Sequence, residues 1–207
     1  MWQELFRKGL APVTLTACLG EGVYALNTFL VSTAMPVAVR ELGGIRFIAW
    51  TTTLFLVAAM VAGSAAGFLK GRMGARRLFL SAAFSFLLGT LVAGAAPSMP
   101  VILVGRVLQG AGEGAIASAS YTLVAEMLPP NMVPKAFGLM AVVWAIAAFG
   151  GPLVGGFLTE LVSWRAAFLV NVPLIAAFVT LVLAAVPPGG ARRAAAPLPL
   201  LRLAGIA

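Results

Sequence analysis

The chain contains no histidine and no aspartate, and Cys18 is its only cysteine. One cysteine excludes an intrachain disulfide and a Cys-based metal cluster. The lack of histidine removes the commonest zinc ligand and every His-based triad. With no Ser/His/Asp constellation to activate a nucleophile, neither an enzyme nor a cofactor is expected. Charge is scarce as well. Only 10% of the 207 residues are charged, where a soluble domain carries roughly 25%. A cleavable signal peptide is not expected either. Met1 to Pro12 is short and amphipathic, and the apolar run behind it is too long for a signal segment.

What fills the space is hydrophobicity: 61% of residues are apolar and the mean hydropathy is +1.04. Long apolar runs recur along almost the whole chain, as in an all-α polytopic membrane protein. The short alternating segments of a membrane β-barrel are missing. Six spans are expected, at about 13–37, 47–69, 78–97, 100–126, 135–158 and 164–186. Glycine, proline and charge punctuate them: Arg40-Glu41 with Gly43-Gly44, Lys70 to Arg77, Pro97-Ser98-Met99-Pro100, Pro129-Pro130-Asn131, and Ser163-Trp164-Arg165. The organisation read from this is a cytoplasmic N-terminal segment (1–12), a six-helix transmembrane bundle (13–186), and a cytoplasmic linker (187–207). That linker runs into the start of a seventh helix, which would need roughly ten more residues to span. The chain therefore reads either as the first half of a longer protein or as a natural half.

The net charge of +8 points to the lipid bilayer rather than to nucleic acid. Its carriers sit in loops, and their distribution sets orientation. Arg7, Lys8, Lys70, Arg72, Arg76, Arg77, Lys135, Arg192, Arg193 and Arg202 share one side, against Arg40, Arg46 and Arg165 on the other. Both termini are expected in the cytoplasm. Trp50 and Trp164 then begin spans on the outer side, where indole rings suit the interface.

One apolar run carries a polar stripe. Arg106, Gln109, Glu113 and Ser120 are spaced by three, four and seven residues, so a helix returns them to one face. An ionised side chain at mid-membrane costs roughly 2.5–3.5 kcal/mol on insertion scales, a cost borne where a face lines a pathway or a protein interior. Arg106 and Glu113 lie two turns apart, roughly 10 Å, so a bridging residue or water is needed between them. In the first span Glu21, Tyr24 and Thr28 make a second polar face.

Four motifs together resemble the major facilitator superfamily. Gly67-Phe68-Leu69-Lys70-Gly71-Arg72-Met73-Gly74-Ala75-Arg76-Arg77 is similar to that family's G-x-L-x-D-R-x-G-R-R-R loop. Gly105-Arg106-Val107-Leu108-Gln109-Gly110-Ala111-Gly112 resembles its R-x-x-Q-G-x-G helix. Gly150-Gly151-Pro152-Leu153-Val154-Gly155-Gly156 looks like the antiporter motif. Trp164-Arg165 through Asn171-Val172-Pro173 resembles the W-R-x-x-F-x-x-N-x-P segment of drug:proton antiporters. The resemblance implies six helices built as 3+3 inverted repeats, forming the N-terminal half of a two-half carrier. It implies proton-coupled efflux of small amphipathic molecules by alternating access, in a bacterial inner membrane. Its partners would be protons, a small-molecule substrate and a C-terminal six-helix half, from the same longer chain or a second copy. A proton/solute symporter of the same superfamily and a truncated, non-transporting scaffold remain the alternatives.

The resemblance also distributes roles. Gly67, Lys70, Arg72, Gly74, Arg76, Arg77 and Glu126 would form a cytoplasmic gate, with Glu126 meeting Arg72 or Arg76. Gly71 and Ala75 depart from the family pattern there, which predicts a weaker latch. Gly151, Pro152, Gly155 and Gly156 would be a close-packed hinge, or close packing alone. Leu26-Asn27-Thr28 resembles an L-D-x-T pattern, with Asn27 in place of a titratable acid. Proton coupling and substrate contact are therefore expected from Glu21, Asn27, Arg106, Gln109 and Glu113. A carboxyl group that is neutral when buried and charged when wetted is what a proton-coupled carrier needs. Met60, Met140, Trp144 and Phe149 either line a greasy substrate surface or face lipid and neighbouring helices.

Overall fold

The computed structural model describes residues 2–7 and 9–188. Helices follow the apolar runs: α1 (Ala11–Leu42), α2 (Ile48–Met73), α3 (Ala75–Gly94), α4 (Met99–Met127), α5 (Val133–Leu161), the single turn α6 (Ala166–Leu169) and α7 (Asn171–Ala185). Among the described residues there is no strand. Five stretches are long and apolar enough to cross a membrane by length and composition: Ala11–Leu42, Ile45–Met73, Ala75–Gly94, Val133–Leu161 and Ala166–Ala185. Helix α4, with 29 residues, is also long enough. It stands apart from those five because Arg106, Gln109 and Glu113 lower its hydropathy. The chain is an integral membrane protein whose described residues form a helical bundle.

Helix limits differ from the sequence expectation at specific places. Helix α1 runs to Leu42 rather than stopping near residue 37, with Pro36 inside it and Arg40-Glu41 in its last turn. The loss of one N–H bond at Pro36 does not end a helix packed along its length. The break comes at Gly43 and Gly44, whose φ angles of +70° and +81° suit only residues without a Cβ. Lys70 and Arg72 likewise belong to the last turn of α2, so the motif read as a loop is helix up to Met73. Gly74, at φ +84°, is the break. Pro100 sits in the first turn of α4, where its missing N–H leaves no gap. Lys8, Arg192, Arg193, Arg202 and the start of a seventh helix lie outside the described residues.

The packing pattern repeats. Helix α2 lies along α4 as α5 lies along α1, and α3 packs on α4 as α7 packs on α1. Helices α1 and α4 meet in the centre, and α3 meets α7. Exchanging α1-α2-α3 for α4-α5-α7 carries these pairings into one another, which is the signature of a 3+3 repeat. Helices α2 and α5 are the least buried, with Met60, Val61, Phe149, Leu153 and Phe157 all exposed.

Two apolar cores hold the bundle. One joins Leu5, Phe79, Phe86, Ile116, Leu123, Phe178 and Val182. The other joins Leu30, Ala34, Ala96, Met99, Ile102, Trp164 and Phe168. Trp164 is thus fully buried and hydrogen-bonded to Glu41, while Trp50 is half exposed. Between the two cores lies a layer of buried polar side chains.

Candidate polar site between the two central helices

Glycine decides how α4 is seated. A Cβ on Gly110 would run into the carbonyl oxygen of Phe55, and one on Gly114 into that of Ala59, so this face lies directly on the α2 backbone. A Cβ on Gly112 would lie 2.5 Å from the Ala82 carbonyl oxygen, and one on Gly105 would lie 2.8 Å from the Ala93 Cβ. That second face lies on α3. Such close approach lets dispersion hold helices together where lipid offers no hydrophobic drive. The face left over carries Arg106, Gln109, Glu113 and Ser120, all buried. It meets α1 in antiparallel register. Asn27 pairs with Glu113, and seven residues back along α1, Gly20 sits against Ser120, seven residues on along α4.

Three residues of the stripe, Arg106, Gln109 and Glu113, form a connected chain through Asn27, and Ser120 stays outside it. Arg106 donates from Nε to the Thr51 carbonyl (3.1 Å) and from Nη1 to Gln109 Oε1 (2.9 Å). Its guanidinium lies 3.9 Å from the centre of the Phe55 ring. Gln109 Nε2 donates to Thr90 Oγ1 (3.0 Å) and to Asn27 Oδ1 (3.4 Å). Asn27 Nδ2 donates to Glu113 Oε2 (3.2 Å). The bridge that Arg106 and Glu113 require is therefore made of Gln109 and Asn27. Its direction follows from its ends. A guanidinium can only donate and an ionised carboxylate can only accept, so both amides point their N–H groups toward Glu113. Glu113 Oε1 has no hydrogen-bond partner.

Glu21 stands in a different setting. Its Oε2 accepts from Trp144 Nε1 (2.7 Å), its Oε1 has no partner, and the residue is buried. Aromatic rings surround it. Tyr24 meets Trp144 edge to face at 5.5 Å and stacks on Phe55 at 5.8 Å, while Phe29 meets Trp144 at 6.1 Å. Phe55 is also the ring beneath Arg106, so aromatic contacts run from the guanidinium to the indole that holds Glu21. Thr28 does not join this group; its hydroxyl donates to the Tyr24 carbonyl.

The structure joins Asn27, Arg106, Gln109 and Glu113 in one hydrogen-bonded chain and holds Glu21 apart from it, against Trp144. Sequence reasoning missed Thr51, Phe55, Thr90 and Asn171, which complete the layer. Asn171 alone carried a signal, as the Asn of the W-R-x-x-F-x-x-N-x-P segment. Asn27 was read for the acid it lacks, and it proves to be the hub. Of the proposed greasy residues, Met60 and Phe149 are exposed, Met140 is buried in the core and Trp144 holds Glu21.

The remaining expected site residues lie elsewhere. Glu126 pairs with Lys70 at 2.6 Å, not with Arg72 or Arg76, because Lys70 is the cation that the last turn of α2 presents to α4. Arg72 instead lies over the Phe68 ring at 5.5 Å. The Glu126 side chain is 58% exposed, so the pair contributes about 0–1 kcal/mol. It borders a cleft of about 670 Å³ lined by Gly67, Gly74, Thr122 and Pro187 among others. On α5, a Cβ at Gly151 would meet Phe29 and one at Gly155 would meet Thr33, so both pack on α1. Gly150 and Gly156 face open space. Pro152 lies inside the continuous helix α5.

Comparison with known proteins agrees with this architecture. Residues 17–204 match the family model described as Major Facilitator Superfamily. A probable multidrug-efflux transporter of Mycobacterium tuberculosis is 36% identical over 189 residues, covering 91% of this chain and 40% of the relative. Multidrug resistance protein 3 of Bacillus subtilis is 33% identical over 162 residues, covering 78% of this chain and 32% of the relative. The chain thus spans well under half the length of these relatives. The crystal structure of a D-xylose–proton symporter superposes with a TM-score of 0.74 at 18% identity, over 87% of this chain and 49% of that one.

Proposed function

We propose, from the premise that this chain belongs to the major facilitator superfamily, that it supplies one six-helix half of a proton-coupled exporter of small amphipathic molecules. The family consists of transporters, not enzymes. The observation that carries the reading is a pair of buried acids on the central helices α1 and α4, Glu21 and Glu113, each with one oxygen bonded and one free. Most buried polar atoms are hydrogen-bonded, so an unpartnered carboxylate oxygen calls for an explanation. An acid with a free oxygen can take a proton there without breaking the bonds that hold it.

In this reading Glu113 keeps its bond from Asn27 at Oε2 while Oε1 gains and loses the proton. Arg106 acts on it through Gln109 and Asn27, because an ionised guanidinium polarises the amide chain toward the carboxylate. Glu21, bonded to Trp144, lies buried on the side of α1 that α5 covers. It is placed to meet cargo or a second proton. Helix α5, seated on α1 through Gly151 and Gly155, is the element whose shift would open or close that side. The Lys70–Glu126 pair at the other end of α2 would close the cytoplasmic mouth. Export, rather than uptake, is supported by the name of the Mycobacterium tuberculosis relative above. A bacterial inner membrane is supported by the bacterial relatives above, and cytoplasmic termini by the loop charges.

The test uses the whole gene product in inverted membrane vesicles energised by a proton gradient, with ethidium as the fluorescent probe. Combining Glu21→Gln with Glu113→Gln is expected to abolish gradient-driven ethidium movement while the double variant remains in the membrane. Gradient-driven movement that survives the double substitution overturns the reading.

A further inference from the structure

Asn171 opens α7 and is fully buried. Its Nδ2 donates to the Phe168 carbonyl (3.1 Å), more distantly to the Ala167 carbonyl (3.5 Å), and to Asn27 Oδ1 (3.3 Å). Backbone carbonyls can only accept, so they dictate which end of the Asn171 amide faces them. With its nitrogen held there, the second N–H is free to reach Asn27, and it finds the oxygen. Asn27 is thus constrained from two sides. Gln109, oriented by Arg106, donates to Asn27 Oδ1 from α4, and Asn171, oriented by α6, donates to the same atom from α7. Gln109 alone holds weakly, since its contact is 3.4 Å and its nitrogen also serves Thr90 at 3.0 Å.

The turn that fixes Asn171 is itself anchored. Glu41, at the end of α1, accepts from Trp164 Nε1 (2.8 Å) and from Arg165 Nη1 (2.7 Å). Arg165 lies over the Trp164 ring at 4.2 Å and reaches the Ala96 carbonyl at 3.4 Å. The segment from Trp164 to Asn171 therefore grips α1 twice, at its end and at Asn27.

We infer that Asn171 is a positioning residue for the proton site: it locks Asn27 as a one-way donor to Glu113 Oε2 and so confines the exchanging proton to Oε1. This rests on the reading of Glu113 as that site. The charged and titratable groups about Glu113 are Arg106 on α4 and Glu21 and Tyr24 on α1. Helices α2, α3 and α7 bring the neutral Thr51, Phe55, Thr90 and Asn171 to the layer. Without Asn171, the Asn27 amide can turn over and present its oxygen to a protonated Glu113.

The experiment is a pH titration of the Glu113 carboxyl stretching band by infrared difference spectroscopy on the whole gene product in lipid, with the band assigned through Glu113→Gln. Protons are the only ligand required. Asn171→Ala removes the donor, and Asn171→Leu removes it at nearly constant volume, so a variant lost to a cavity is backed by one without it. Each is expected to move the titration midpoint by roughly half a pH unit or more, about a three-fold change in proton affinity. In an Asn27→Leu background, Asn171→Leu is expected to add nothing, because Asn171 acts through Asn27. An unmoved midpoint overturns the inference, as does an equal shift in the Asn27→Leu background. If Glu113→Gln leaves proton-driven efflux intact, the reading of Glu113 as the coupling site falls while this titration still judges Asn171. If Glu113→Gln abolishes coupling and the midpoint does not move, only the role of Asn171 falls.

Discussion

Arg106 is the residue on which the polar layer depends. It is a buried cation with two hydrogen bonds and an aromatic face beneath it, and it sets the direction of the amide chain. Arg106→Ala strands Gln109 and opens a hole over Phe55. The loss of one partner from a buried charged network costs about 3–5 kcal/mol, and thermal unfolding in detergent should register it. Arg106→Lys keeps the charge but cannot form the fork that reaches Thr51 and Gln109 together. One lost charge-assisted bond is worth about 1.5–3 kcal/mol, so efflux in vesicles is expected to fall about ten-fold or more. At this scale the stripe was legible from spacing, because three- and four-residue steps name one helix face without reference to any other helix. The partners across the gap were not. Nothing local distinguishes Thr90 or Thr51 from other threonines that bond back to their own helix, as Thr28 and Thr53 do.

The elements are spaced by glycine. On α4, Gly110 and Gly114 turn to α2, Gly105 and Gly112 turn to α3, and the polar stripe is left for α1. Gly114→Ala would drive a methyl group into the Ala59 carbonyl, and backbone cannot step aside as a flexible side chain can. The expected cost is about 1–3 kcal/mol. Gly150→Ala meets nothing within 4 Å and is expected to be neutral, or to gain up to about 1 kcal/mol in helix propensity. Paired melting curves in detergent check the contrast, and equal effects would contradict the seating of α4. Small-residue pairs announce themselves in sequence, yet the sequence does not say which glycine of a cluster faces a neighbour. Gly155 packs on Thr33 while the adjacent Gly156 faces open space. Helix ends were read less well than helices. Arg40-Glu41 and the Lys70–Arg72 turn looked like breaks, but tertiary packing carries α1 and α2 past both, and chain reversal there falls to glycines at positive φ.

At the scale of the whole molecule, orientation is the consequence most open to test. Loop charge expects Lys135 on the cytoplasmic side and Ser98 on the other. In a Cys18→Ala background, Ser98→Cys should react with an impermeant thiol reagent added to intact cells, and Lys135→Cys should react only after permeabilisation; the reverse pattern would invert the topology. The bundle has a pseudo-symmetric plan in which two central helices each carry two partners, two cores close its ends, and the polar layer lies between them. Composition and the period of hydrophobicity by themselves determined that this chain is a membrane-embedded helical bundle, which helices it has, and which face of α4 is polar. Those properties arise from each segment's own contact with lipid. Only the tertiary structure decided that Asn27 is the hub, that Glu126 meets Lys70, and that Asn171 belongs to the site. Each of these is a contact between helices distant in sequence, fixed by how closely glycine lets their backbones approach.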